Sequence, residues 1–428
     1  MTTPLRLGIA GLGTVGAGVV KIVQRRADLL AERTGRSITI SAVSARTRDK
    51  DRGVRLNDYA WEDDPVTLAR RDDIDVFVEL MGGSDGPAKA ATEAAIAAGK
   101  DVVTANKAML AIHGQALAEA AEAANRVIRF EAAVAGGIPC VKALTEGLAG
   151  NEVQRVMGVM NGTCNYILTR MESAGLTYDE VFDEANALGY LEADPALDVG
   201  GIDAGHKLAL LSSIAFGTRV DFGAVELEGI ERITITDIEQ ARDMGYRIKL
   251  LGVAQMTGRG LEQRMSPCLV PAFSPLGTLE GPTNMVVLEG DAAGQIVLQG
   301  AGAGEGPTAS AVMSDVLDIA RGIRVSTFGK PASALVTATA AQASVPAPFY
   351  LRMNLLDKPG ALAKVATVLG ENGISIDRMR QYQHDQATAP VLIVTHKTPR
   401  HALDAALTAM SGTGVVEGDP VAIRIEAV

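Results

Sequence analysis

The sequence predicts an α/β protein in three parts: a parallel-sheet domain, an α+β domain after it, and a small β-α-β-β-α-β domain towards the C-terminus. Three observations carry this prediction. Strand-like apolar runs alternate with helix-like segments up to about residue 135. That rhythm then changes to longer helices and recurrent short strands. Beyond the Ala-, Ser- and Pro-rich stretch Thr337–Pro348, about 80 residues read as a unit of their own. The expected boundaries are 1–135, 136–305, a segment 306–336 that closes back on the first domain, a linker 337–348, and 349–428.

In the first part, Leu5–Ala10 is a nearly continuous apolar run suited to a buried parallel strand. A glycine turn and a helix carrying Val15, Val19, Val20, Ile22 and Val23 follow it. Ile38–Val43, Ile74–Leu80, Asp101–Thr104 and Val127–Glu131 read as further strands, with helices at Ala88–Ala98 and Gln115–Ala124. In the second part Val153–Met160 reads as a strand. Thr163–Ser173, Tyr178–Leu188 and Asp198–Phe216 read as helices. Strand-like pieces recur at Ile233–Ile235, Ile248–Gln255, Cys268–Pro271, Met285–Glu289 and Ile296–Gln299. Gly300–Gly306 is too rich in glycine for a regular element, and helix Ser310–Arg321 follows. The last part runs strand Tyr350–Leu356, helix Ala361–Glu371, strands Ile374–Arg380 and Pro390–Thr395, helix Ala402–Met410 and strand Val421–Ala427. That order is ferredoxin-like.

Composition narrows the function. A formal net charge of -11 repels nucleic acid and anionic lipid, and 4% aromatic residues leave little for base stacking. Cys140, Cys164 and Cys268 are odd in number and lack metal-ligand spacing, which predicts a reducing compartment. No apolar run is long enough to span a membrane and no leader is evident, so a cytoplasmic protein is expected.

Gly11-Leu12-Gly13-Thr14-Val15-Gly16 follows the first strand and opens a helix. Gly11 permits the tight turn, Gly13 lets backbone approach a pyrophosphate, and Gly16 lets helix and strand pack closely. The placement predicts a Rossmann-type dinucleotide domain, with Thr14 and Val15 at the helix N-terminus. At the end of the second strand there is no acid before Asp49, whereas Arg46 and Arg48 are available to a 2'-phosphate. NADP is therefore favoured over NAD; the competing reading is two solvated arginines on a loop.

Lys107, in Thr104-Ala105-Asn106-Lys107, lies just past the C-terminal end of a strand, where open α/β sheets bind ligands. A second group gathers Glu192, Asp194, Asp198, Asp203, His206 and Lys207. Asp203 and Lys207 stand i,i+4 on one helix face; the plainer reading is a solvated turn with a routine ion pair. Amines beside carboxylates suit a substrate with both an amino and a carboxylate group. Carbonyl reduction needs hydride and a proton, which lysine can supply. His113 and His206 are further candidate acids.

Several motifs in order then match one family: the Gly11–Gly16 loop, Glu79–Gly83, Val103–Lys107, Glu131–Pro139, Asn161–Leu168, Gly189–Pro195 with Asp198, Asp203 and Lys207, and Gly302–Thr308. Across essentially its full length the chain resembles bacterial homoserine dehydrogenases. The resemblance implies NAD(P)H-dependent interconversion of L-aspartate 4-semialdehyde and L-homoserine. It implies that Glu192 binds the substrate amine, that Asp198 orients substrate or water, and that Lys207 donates the proton. Lys107 would meet both substrate and cofactor, while Thr104 and the Gly302–Gly304–Glu305 segment would line the nicotinamide side. It also implies a sodium ion held by main-chain oxygens of Glu131, Val134, Gly136 and Ile138. Leu355–Leu362, with Pro359 and Gly360 at a strand-to-helix turn, resembles an ACT domain. This implies threonine as effector and a homo-oligomer, dimer or tetramer. The chain opens directly on the dehydrogenase strand, so a monofunctional enzyme is expected. Two rivals are a semialdehyde dehydrogenase using Cys140 or Cys164 as nucleophile, as one of several small amino- or keto-acid dehydrogenases, and a dinucleotide- or amino-acid-sensing regulator.

Overall fold

The computed structural model describes residues 3–191, 194–341, 344–381 and 387–428. Six parallel strands form the first sheet: β1 (Leu5–Ala10), β2 (Ile38–Ser44), β3 (Ala60–Glu62), β4 (Val76–Glu79), β5 (Asp101–Thr104) and β6 (Ile128–Arg129). Their spatial order is β3-β2-β1-β4-β5-β6, a doubly wound sheet. The pleat sorts its side chains. Val76 and Val78 join Leu7 and Ile9 against α1 (Thr14–Arg25), whereas Phe77 and Val102 face the opposite layer. Between β1 and β4 the chain forms α2 (Ala27–Thr34) and α3 (Pro65–Ala69), neither of which the periodicity reveals because both are short. In α3, Asp64 caps the amides of Val66 and Thr67 ahead of Pro65 at the first helical position. Helices α4 (Pro87–Ala97) and α5 (Lys107–Ala123) complete the second layer. α5 begins eight residues before the expected Gln115, so Lys107 opens it.

The expected single helix over 198–216 is two. After α6 (Cys140–Lys142), β7 (Val153–Val159), α7 (Gly162–Ala174) and α8 (Tyr178–Ala187), a short α9 (Ala196–Val199) stops at Gly200-Gly201. Gly201, with φ +78°, turns the chain into α10 (Ile202–Phe216). The short β8 (Glu226–Leu227) comes next. The strand expected at Ile233–Ile235 is instead the start of α11 (Ile235–Asp243), where Thr234 and Asp237 form a capping box. Alternation of Ile and Thr mimicked a strand there. Conversely, β10 (Gly260–Pro271) is far longer than Cys268–Pro271, because its first half buries Glu262, Gln263 and Arg264, which no apolar pattern discloses.

β10 pairs with β9 (Tyr246–Thr257), which pairs with β7; then come β11 (Thr283–Gly290) and β12 (Gly294–Ala301). Helices α7, α10 and α11 cover one face of this sheet, and Leu276, Leu279 and Val428 seal the other. α12 (Glu305–Ala320) returns to the first sheet and buries Val312 and Val316 against α1 and α2. It begins five residues earlier than expected. The C-terminal unit comprises β13 (Phe349–Leu356), α13 (Ala361–Glu371), β14 (Ile376–Gln381), β15 (Thr388–Thr395), α14 (Arg400–Ser411) and β16 (Val416–Ile425). It does not stand apart. β16 runs parallel to β10 at Cys268↔Arg424 and Leu269↔Ile425, making one continuous sheet. Arg264 and Arg424 both bind Glu426 at this seam, and Tyr350 and Arg352 donate to the buried Asp237. The preceding stretch is strapped down too: Leu261 N–H donates to Thr339 O (2.9 Å), and Ala341 N–H donates to Leu261 O (2.9 Å).

Candidate active site

The strand order reverses at β1, and the C-terminal edge of a doubly wound sheet at such a reversal is where ligands bind. The glycine loop fits a dinucleotide. Gly11 has φ +97°, and a side chain on it would press into the Leu80 carbonyl. A Cβ on Gly16 would overlap the Gly11 carbonyl, whereas Gly13 has nothing within 4 Å. The N-terminus of α1 has no side-chain cap, and Thr14 is exposed beside it. Its first amides therefore point at open space, where a pyrophosphate would sit. Arg52 clamps the loop, donating from Nε to the Leu12 carbonyl at 3.0 Å. Nothing in the sequence singled it out. Arg46 and Arg48 are exposed beyond β2, and Arg48 lies 5.7 Å over the Trp61 ring.

Gly13 and Gly16 make separable demands. Gly16→Ala is expected to cost about 1–3 kcal/mol of stability in urea unfolding, because the methyl meets backbone that cannot yield. Gly13→Ala keeps wild-type stability and loses cofactor affinity by about tenfold or more, since the methyl occupies only ligand space. Fluorescence titration with NADPH checks this; wild-type affinity in Gly13→Ala would remove the loop from the cofactor site.

On the neighbouring strands, Glu79 is fully buried and accepts from Thr104 Oγ1 (2.6 Å) and Met81 N (2.7 Å). Thr104 Oγ1 in turn accepts from Asn106 N (3.0 Å). The Asn106 side chain caps α5 through Met109 N (3.0 Å) and donates to Gly83 O (2.7 Å). This chain fixes the turn that projects Lys107 from the sheet edge. Lys107 Nζ lies 2.9 Å from Asp203 Oδ1, and Lys207 Nζ lies 2.6 Å from Asp203 Oδ2. Two lysines from different domains thus share one carboxylate. Burial would push that carboxyl up, but Lys207 and Lys107 together hold it well below the usual carboxylate range. Lys207 also donates to Met160 O at 2.8 Å and is buried, with 8% of its surface exposed. Two of its three donor directions are so taken. Asp198, buried at the end of α9, accepts from Asn161 Nδ2 at 2.9 Å. Asn161 simultaneously caps α7 through Cys164 N (2.8 Å).

Other candidates divide. Glu192 lies outside the described residues. His113 is paired with Asp85 at 2.8 Å, away from the lysines, and the His206 ring packs on Phe222 with centroids 4.1 Å apart. Desolvation lowers the His206 pKa, with Asp203 pulling the other way. Cys140 and Cys164 are fully buried, and desolvation pushes both thiols far up, the wrong direction for a nucleophile. Glu305 is turned to Lys21 of α1 (2.7 Å), so its carboxylate braces α12. Gly302 packs directly on Gly136, and Gly304 has φ +119°. The Glu131–Ile138 segment is buried at the same place. Ala135 and Gly136 both have positive φ (54° and 55°), and the Val134 carbonyl meets the Cys140 thiol at 3.5 Å. The Glu131 carboxylate is engaged by Val141 N (2.9 Å) and Lys142 N (2.8 Å). Among the described residues no group of three Cys, His, Asp or Glu side chains is placed to hold a metal, and no helix is long and apolar enough to cross a membrane.

Comparison with known proteins converges on one family. Residues 11–131 match the homoserine dehydrogenase NAD binding domain, 139–317 match homoserine dehydrogenase, and 349–412 match the ACT domain. Homoserine dehydrogenase of Neisseria gonorrhoeae is 41% identical over 99% of both chains. The crystal structure of a homoserine dehydrogenase from Thiobacillus denitrificans superposes with a TM-score of 0.94 at 38% identity, covering 99% of this chain and 98% of that one. A hyperthermophilic archaeal homoserine dehydrogenase in complex with NADPH has a TM-score of 0.63 at 26% identity, over 74% of this chain and 97% of its own.

Proposed function

The chain belongs to the homoserine dehydrogenase family of NAD(P)-dependent oxidoreductases, and from that premise we propose that Lys207, Lys107 and Asp198 act directly in interconverting L-aspartate 4-semialdehyde and L-homoserine. The observation that carries this reading is the Asp203 carboxylate gripped by both lysines at the sheet edge. The nicotinamide, when bound, supplies the hydride for carbonyl reduction. Lys207 holds a proton at Nζ and delivers it to the developing alkoxide, directly or through water. Asp203 and the Met160 carbonyl fix the direction in which that ammonium points. Lys107 contacts the substrate on the cofactor side, near Thr104. Asp198, steadied by Asn161, orients substrate or a water molecule, and Glu192 takes the substrate ammonium. Thr104 and the Gly302–Glu305 segment line the nicotinamide side.

The same reading includes sodium bound by the main-chain oxygens of Glu131, Val134, Gly136 and Ile138. Support comes from the two left-handed residues there, which turn successive carbonyls within a buried loop. It further includes threonine as effector of the ACT domain, a homodimer or tetramer, and the cytoplasm as the site of action.

NADP is the preferred cofactor, through Arg46 and Arg48. Joint replacement of both by alanine is expected to lower kcat/KM for NADPH by about 10- to 100-fold and to leave NADH within about twofold. Initial rates with both cofactors read this out. An equal loss for both would place the arginines elsewhere in the site, and no loss would make them solvated loop residues.

A further inference from the structure

Lys249, near the start of β9, is an ammonium buried to 2% exposure, outside the lysine–carboxylate cluster. Among the described residues no carboxylate lies within ion-pair distance of it. Glu172 and Glu280, which act on it from farther off, are both bound by Arg247 (3.4 and 3.2 Å). Burial pushes the amine down to about 8. A methionine would fill this place without the cost of burying a charge, so the partners of the ammonium are informative. It donates to Asn165 Oδ1 at 3.0 Å and to the Leu279 carbonyl. Asn165 in turn donates from Nδ2 to Gly281 O (2.8 Å) and, more weakly, to Leu279 O (3.4 Å). One buried polar knot therefore ties β9 and the first turn of α7 to the loop 279–282 that leads into β11. That loop is close-packed on the helix: a Cβ on Gly162 would lie 2.7 Å from Pro282 O.

The same turn reaches the chemistry. Asn161, its cap, donates to Asp198 Oδ1 (2.9 Å), and the Cys164 thiol donates to Asp198 O (3.3 Å). Met160, one residue earlier, offers the carbonyl that accepts from Lys207 Nζ (2.8 Å). Residues 160–165 thus meet Asp198 and Lys207 as well as the Lys249 knot. A displaced helix start would carry Met160 O and Asn161 out of line together, and misplacement by about 1 Å can cost about 100-fold in rate.

We propose that Lys249 is a positioning residue for homoserine oxidation and its reverse: through Asn165 and the 279–282 loop it fixes the start of α7, which aims Asn161 at Asp198 and Met160 O at Lys207. It acts through these groups and touches neither substrate nor cofactor. This rests on the reading in which Asp198 and Lys207 act directly. The ammonium is kept for the direction it imposes, at some cost in stability.

Lys249→Met tests it, with steady-state kinetics, NADPH titration, the solvent deuterium isotope effect and urea unfolding on one preparation of the full chain. kcat for homoserine oxidation is expected to fall about 10- to 100-fold, with NADPH affinity within about twofold of wild type. The solvent isotope effect should grow, because a misaimed ammonium slows proton transfer relative to the other steps. The urea midpoint should hold or rise, since a buried charge is gone. Asn165→Ala should lose kcat in the same way, and it carries the test if Lys249→Met does not fold. The double variant should lose no more than the worse single one, because both cut one brace. Turnover within about twofold of wild type in the folded variants would overturn the proposal, as would losses that multiply in the double variant. An unchanged isotope effect beside a lowered kcat and urea midpoint would make Lys249 a core brace only, and would overturn it too. A loss in Lys249→Met beside a Lys207→Ala variant that keeps turnover would instead remove the proton-donor reading and uphold the brace through Asp198.

Discussion

Lys207→Ala is expected to lower kcat for homoserine oxidation by about two to four orders of magnitude, the usual contribution of a positioned proton donor or acceptor. The reasoning is geometric. Lys207 Nζ is held by Asp203 (2.6 Å) and by Met160 O (2.8 Å), so the ammonium is aimed before substrate arrives. Alanine removes the proton and the positive charge but leaves Asp203 paired with Lys107 at 2.9 Å. The fold should therefore persist, and cofactor affinity, carried by the glycine loop, should not move. Steady-state rates, NADPH titration and a thermal melt on one preparation separate these effects. A variant that retained turnover within about tenfold of wild type would assign the proton to Lys107 or to solvent.

Asp203→Asn is expected to damage stability as well as rate. The carboxylate is the only anion within ion-pair distance of Lys207 among the described residues, and their side chains are 18% and 10% exposed. Neutralising it leaves a nearly buried ammonium beside a second one, a situation that costs about 3–5 kcal/mol. Urea unfolding measures the loss. The double variant Asp203→Asn/Lys207→Met should recover much of it, because the most buried ammonium of the cluster is then gone and only the more exposed Lys107 has lost this carboxylate. Failure to recover would mean that Asp203 stabilises the protein mainly through Lys107. The pH dependence has a definite sign. The folded-state pKa of Asp203 is depressed, so its contribution to stability is fully present above the ordinary carboxylate pKa of about 4 and is lost as pH falls further. Between pH 5 and 9 the carboxylate stays charged, and any pH-rate limb there belongs to another group.

Much of this site was legible in the sequence, for reasons that also explain what was not. Gly11, Gly13 and Gly16 announce themselves because each backbone demand excludes a side chain. Lys107 stood out by its place after a strand, and Asp203–Lys207 by helical spacing. That one carboxylate serves both lysines was hidden, because Lys107 and Asp203 come from different domains and local periodicity says nothing about which domains meet. Arg52 was hidden for a related reason: its guanidinium serves backbone carbonyls, and a carbonyl carries no residue identity. The same blindness affects the proposed backbone cation site, which came from family resemblance alone. In the fold, strands with apolar faces were located closely, β1 and β5 to the residue. Where the core is polar, as in the first half of β10, the hydrophobic signal vanished. The short α2, β3 and α3 were missed, and Thr234's cap turned an apparent strand into a helix.

The pairing of β16 with β10 bears on how the molecule is made. Arg264 and its partner Glu426 are 162 residues apart in the chain, and Val428 packs into the apolar face built by Met157, Leu251 and Val287. During synthesis the six strands of the first sheet can pair early, since they lie within residues 5–129, and α12 joins their core once residue 320 has emerged. The catalytic sheet cannot follow suit. Until residues 416–428 have left the ribosome, β10 is unpaired at Cys268 and Leu269, beyond its short pairing with β8, and one face of the sheet is missing part of its cover. The interval between those events is when the nascent protein is most exposed to wrong partners, and the domain that closes it is the one that also reads as regulatory.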